Sequence, residues 1–228
     1  MAATRTAFWV GCLAAGVLGA LLARCDLPTQ GWMVPAQAAT SRDEPVPART
    51  PGPVSIGFAQ DMSLHHEQAL VMARLALQRG TPAIRLFAQG IHDAQLKELG
   101  LLQGWLVLWD APAASDTATM DWMKDAYWRA GRRNEDFEAF IAACTGSGSM
   151  PGLATAQQLE QLAGQRDAAF DRLFLQLMSR HHRGAIVMAQ FAYEHAEHEA
   201  VRGFAASMGA EQRQEWMRMA GLARAASE

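Results

Sequence analysis

One pattern, Met-x-x-His-His-x-x-Ala-x-x-Met-Ala, occurs twice in this chain of 228 residues, at 62–73 and again at 178–189. Phe58, Met62, His65, His66, Ala69, Met72 and Ala73 match Phe174, Met178, His181, His182, Ala185, Met188 and Ala189 at a constant offset of 116. Further on, Gln95 and Glu98 match Gln212 and Glu215 at an offset of 117. At about 100° per residue the motif positions from Met62 to Ala76 fall within a helical stripe roughly 120° wide, the width of a face that packs against other helices. The repeat therefore predicts two helical hairpins of one design, each burying its stripe against the other. The expected fold is all-α, a four-helix bundle made of two repeated antiparallel hairpins.

Composition and punctuation agree with that reading. Half the residues are hydrophobic and 19% are charged, which excludes a disordered polyelectrolyte, and a net charge of -3 gives no electrostatic footprint for nucleic acid. Gly80-Thr81-Pro82 stops one helix and starts the next, with threonine as N-cap and proline as first helical residue. Residues 55–109 are thus the first hairpin, starting at Ser55. The connecting segment 110–166 holds short helices at Asp121–Ala130 and Asn134–Ala143, a loop at Gly146-Ser147-Gly148, and a helix opened by a Thr155/Gln158 capping box and closed by Gly164. Residues 167–226 are the second hairpin, capped at Asp167, and its turn near 195–198 is placed by the repeat alone.

The N-terminus reads as a targeting segment. Ala7 to Ala23 is an uncharged apolar run between Arg5 and Arg24, and Ala36-Gln37-Ala38 supplies an A-x-A cleavage pattern. We assign 1–38 to a signal peptide or inner-membrane anchor with linker, the choice between cleaved and anchored staying open, and 39–54 to a flexible linker. The expected location is periplasmic or otherwise extracytoplasmic, with membrane contact only through this segment. Cleavage after Ala38 would remove Cys12 and Cys25, leaving Cys144 alone, so soft-metal ligands would have to be methionines.

The stripe has an odd content for a core: two histidines, two methionines and alanines. Met62 lies one turn from both His65 and His66 and could chelate with either, whereas adjacent histidines point about 100° apart and do not easily share an ion. Met72 lies about 10 Å along the axis from His65. Folding the hairpin about its turn sets Gln95 level with the histidines and Glu98 level with Ser63. Gln95, Glu98, Gln212 and Glu215 are therefore expected to hydrogen-bond the histidines or to ligate beside them. Thioether plus imidazole favours copper, especially Cu(I), over hard cations, with another transition metal as the alternative ion. Glu-x-x-His, the helical di-iron signature, does not occur in the chain. His92, His195 and His198 read as solvated surface residues, with a weak i,i+3 grip open to the last two.

At FAQDMSLHHEQALVMA (58–73), FLQLMSRHHRGAIVMA (174–189), IHDAQLKEL (91–99), GAEQRQEWM (209–217) and SMPGLATAQQLEQL (149–162), the chain resembles the bacterial family called domain of unknown function 305. That resemblance implies an exported, ferritin-like four-helix bundle, with some relatives linked to copper binding and copper resistance. Carried over by position, the metal candidates are Met62, His65, His66, Met72, Met178, His181, His182 and Met188. The chain lacks long Met/His-rich tails, a departure that speaks against high-capacity storage. The function expected is sequestration or transfer of Cu(I). A ferritin-like metal-dependent oxidase and a metal-free structural or interaction module are the alternatives, and the oligomeric state is left open.

Overall fold

The computed structural model describes residues 51–115, 120–131, 135–147 and 150–225. The segment read as signal or anchor and most of the linker behind it fall outside these residues, as does the side chain of Cys144. The described chain is all-α. Its helices are α1 (Pro53–Arg79), α2 (Pro82–Leu108), α3 (Asp121–Ala130), α4 (Glu135–Ser147), α5 (Ala156–Gly164), α6 (Asp167–His195) and α7 (Glu199–Ala225). No helix among the described residues is long and apolar enough to cross a membrane.

α1 pairs with α2 and α6 pairs with α7, and the two hairpins meet through α1 and α6. Two hydrogen-bonded clips make α1 and α6 antiparallel. At one end the Glu197 carboxylate, in the α6–α7 turn, accepts from Val54 N (3.3 Å), Ser55 N (3.0 Å) and Ser55 Oγ (2.9 Å). This satisfies orphan N–H groups at the α1 N-terminus, where the N-cap Gly52 has no side chain to do so. The helix consequently begins at Pro53, ahead of the expected Ser55. At the other end Asp171 accepts from Thr81 N (3.1 Å) and Thr81 Oγ1 (2.6 Å). Thr81 is the N-cap of α2, yet its hydroxyl does not cap its own helix; it is spent on the neighbouring hairpin.

Between the clips, Ala59, Ala69, Ala73 and Ala76 of α1 and Ala185, Ala189 and Ala192 of α6 are buried, and their small side chains let the two helices approach closely. The apolar side chains form two clusters. Met62 and Met188 lie in one, with Phe58, Trp122 and Phe191; Met72 and Met178 lie in the other, with Phe170 and Phe174.

The structure departs from expectation once in the connecting segment and once at the start of the second hairpin. α4 runs on through Gly146 and Ser147, so the expected loop does not start there; the glycine falls in the last turn, where its freedom costs least. Asp167 is the first residue of α6, with φ of 50°, and Arg166 is the N-cap. The capping box at Thr155 and Gln158 is formed. Just ahead of it, residues 150–154 make a strap across α6. Gly184 faces the strap, and a Cβ there would lie 2.0 Å from the Pro151 carbonyl oxygen. Gln68 of α1 holds the same strap at Ala154, donating to its carbonyl (2.9 Å) and accepting from its N–H (2.7 Å).

Candidate metal centre

All eight motif residues, Met62, His65, His66, Met72, Met178, His181, His182 and Met188, are fully buried where α1 and α6 cross. The helical rotation of 100° sends each adjacent histidine pair in two directions. His65 and His181 point at one another across the α1–α6 contact, with ring centroids 3.7 Å apart and planes tilted by 40°. His66 and His182 turn instead toward the outer helix of their own hairpin. His66 Nε2 lies 2.7 Å from Glu98 Oε2, and His182 Nε2 lies 2.7 Å from Glu215 Oε2.

Folding the hairpin on paper sets Glu98 one turn away from His66, level with Ser63. Helical side chains lean toward the N-terminus of their own helix. In an antiparallel pair the glutamate and the histidine therefore lean toward each other, and they meet. Gln95 and Gln212 are buried at the same height but bond to neither histidine: Gln95 Oε1 and both amide atoms of Gln212 have no hydrogen-bond partner.

The electrostatics follow from burial. Loss of solvent pushes His65 down to about 3, helped by His66 and opposed by the nearby Pro151 carbonyl. His66 is likewise pushed down to about 3, by burial first and by His182 second, with Glu215 opposing. His181 is held well below the ordinary histidine range by burial and then by His65. Glu98 moves the other way, up to about 7, because burial and the neighbouring Glu215 both penalise its charge. Burial thus favours the neutral form of His65, His66 and His181, with carboxylates on the outer side of the site.

Hydrogen bonding then fixes which nitrogen of a ring is engaged. His181 Nε2 lies 2.9 Å from the His65 carbonyl oxygen, which can only accept, so Nε2 carries the proton and Nδ1 is bare. His66 and His182 also commit Nε2, to their glutamates. Nδ1 of His65, His66, His181 and His182 is buried in every case and has no hydrogen-bond partner. An unmatched buried polar atom costs about 1–3 kcal/mol, and four such atoms at one helix crossing need an explanation that core packing does not supply. Among the described residues no three His, Cys, Asp or Glu side chains come together as a metal-holding group. An ion here would draw on thioether or amide donors beside imidazole.

The methionines of the two motifs share apolar clusters across the α1–α6 contact. Because α1 and α6 are antiparallel, the first methionine of each motif joins the cluster of the other motif's second: Met62 with Met188, and Met178 with Met72. His195 and His198 do not form an i,i+3 pair on one helix, since α6 stops at His195 and α7 starts at Glu199. They are half-buried instead, His195 against Phe191 (4.3 Å) and His198 against Trp109 (5.5 Å).

Sequence reasoning missed the strap and its Pro151 carbonyl beside His65. A signal was present: positions 68 and 184 are equivalent in the repeat, yet one is glutamine and the other glycine. Both hold the strap, the first by bonding to it and the second by making room. Asp61 was also missed. It is buried on α1, accepts from Met120 N (3.0 Å) and Trp122 Nε1 (2.8 Å), and is raised above the usual carboxylate range chiefly by burial.

A family model described as domain of unknown function (DUF305) matches residues 55–223. Among solved structures, a DUF305 protein from Streptomyces coelicolor, described as a candidate secreted protein, is 30% identical over 76% of this chain and 94% of its own, with a TM-score of 0.64. A DUF305 fragment from Deinococcus radiodurans is 23% identical over 76% of this chain and 97% of its own, with a TM-score of 0.58. The protein CopM in its Cu(I)-bound form is 22% identical over 75% of this chain and 95% of its own, with a TM-score of 0.53. At the identities of the last two, the likeness is one of fold. No curated protein matches the chain.

Proposed function

The chain belongs to the DUF305 family, and we propose that it is an extracytoplasmic metal-binding protein that holds copper, above all Cu(I), in its buried Met/His centre for sequestration or transfer. In this reading the four long helices work as one four-helix bundle. The observation that carries the proposal is the set of unpartnered Nδ1 atoms on His65, His66, His181 and His182. Bound metal would match them where no protein group does. Met62, Met188, Met72 and Met178 flank the histidines, and imidazole with thioether is a donor set that suits Cu(I). Thioethers form no disulfides, so the centre keeps these donors in an oxidising compartment that pairs thiols. Burial excludes water from the ion and from these rings alike.

Two further lines support the reading. CopM has been solved in Cu(I)-, Cu(II)- and Ag-bound forms. Export is supported by the apolar run Ala7 to Ala23 with the A-x-A pattern behind it, and by the description of the Streptomyces protein. The test is a titration of the metal-free protein with Cu(I) against a competing chelator. The wild type should take up Cu(I) stoichiometrically, and a variant carrying His65→Gln, His66→Gln, His181→Gln and His182→Gln should not. No uptake by the wild type, or equal uptake by the folded variant, would overturn the assignment.

A further inference from the structure

The two outer histidines differ from the inner pair in what holds Nε2. His181 gives its Nε2 proton to a neutral backbone carbonyl, whereas His66 and His182 face carboxylates at 2.7 Å. The arrangement is the same in both hairpins although glutamate and histidine are 32 residues apart in one and 33 in the other. Both glutamates are themselves mostly withdrawn from solvent, with side chains 12% and 14% exposed, so the bond is made in a low-dielectric setting where it directs the ring strongly.

We propose that Glu98 and Glu215 are positioning residues that commit His66 and His182 to the Nε2–H tautomer and so offer Nδ1 to the ion. This rests on the reading of the histidines as metal ligands. The opposite tautomer places a proton on Nδ1, where no acceptor exists, and a buried N–H without an acceptor is rarer in proteins than a bare lone pair. When ionised, the carboxylates also add negative charge behind the rings, which raises the donor strength of the imidazole and offsets the charge of a bound cation. The inner pair has no such charge behind it. The four histidines thus differ in their surroundings: His66 and His182 are backed by carboxylates, His181 by a backbone carbonyl, and His65 bonds through neither nitrogen.

The first measurement needs no metal: ring ¹⁵N shifts of the full-length protein at about pH 9, where Glu98, raised to about 7, is ionised and can only accept. Nδ1 of His66 and His182 should be unprotonated and Nε2 protonated. In a Glu98→Leu/Glu215→Leu variant those two rings should lose the single tautomer while His65 and His181 keep their signals. Cu(I) affinity of the folded variant should fall about 10–100-fold. Protonated Nδ1 atoms in the wild type, or wild-type affinity in the double variant, would overturn the positioning role. A wild type with the expected tautomers but no Cu(I) uptake would instead remove the metal reading on which it rests.

Discussion

The ring of His181 donates through Nε2 to the backbone carbonyl of His65 at 2.9 Å, and the two residues occupy the same position in the two repeats, 116 residues apart. A bond between equivalent residues marks the place where the two hairpins cross. It is not returned: neither nitrogen of His65 makes a hydrogen bond, and the Pro151 carbonyl lies beside that ring instead. The strap at 150–154, a part of the chain outside the repeat, breaks the symmetry of the histidine core.

Acid should destabilise the metal-free protein well above the pH at which most carboxylates titrate. His65 and His66 are pushed down to about 3 in the folded state and His181 well below its ordinary value, so between that range and about pH 6.5 the unfolded chain binds more protons. Stability is then full above about 6.5 and is lost as pH falls. Glu98, raised to about 7, acts with the opposite sign over roughly pH 4.5 to 7, but one carboxyl does not offset three rings. A melting series should show a steady fall from pH 7 to 4. A profile flat to pH 4 would contradict the burial of neutral histidines.

Copper affinity should depend on pH through the Glu98 carboxyl group rather than through His65, His66 or His181. His65 and His66 remain neutral to well below pH 6, whereas Glu98 takes up its proton near 7. Cu(I) binding should therefore strengthen from pH 6 to 8 and release protons toward the lower end. Glu98→Gln should flatten that dependence. An unchanged slope in competition titrations of the variant would assign it to another group.

Gly184→Ala should destabilise the fold by about 1–3 kcal/mol in urea unfolding, because the new methyl collides with the Pro151 carbonyl, which is backbone and cannot swing aside. Gly100→Ala is the control. Nothing lies within 4 Å of a Cβ there, and alanine should stabilise exposed α2 by about 0.5–1 kcal/mol.

Asp171→Ala removes the acceptor of both Thr81 bonds and leaves the α2 N-terminus without a partner. A loss of about 1–2 kcal/mol is expected. Thr81→Ala should cost less, since its backbone N–H can still reach Asp171. The two substitutions together should cost no more than Asp171→Ala alone, a non-additivity that a double-mutant cycle measures.

The helices, their order and the choice of Glu98 and Glu215 as partners for the histidines were legible in the amino-acid sequence. The same expectation for Gln95 and Gln212 was not met, because helical period and the 116-residue repeat set approximate heights and not contacts. Pro82 after Gly80-Thr81, and the Thr155/Gln158 box, announced helix starts through backbone chemistry that needs no distant partner. The split of His65 from His66 also followed from the helical angle alone. Tertiary structure decided what each ring meets. Only the antiparallel packing of α1 on α6 puts Met62 and Met188 in one apolar cluster and sets His65 against His181, since one helix cannot specify the direction of its neighbour. Only the lean of two facing helices brings Glu98 to His66 rather than leaving it level with Ser63. The strap, the Asp171–Thr81 clip and the Glu197 clip join residues far apart in the chain. Such contacts leave no period behind, because they depend on where whole helices end in space.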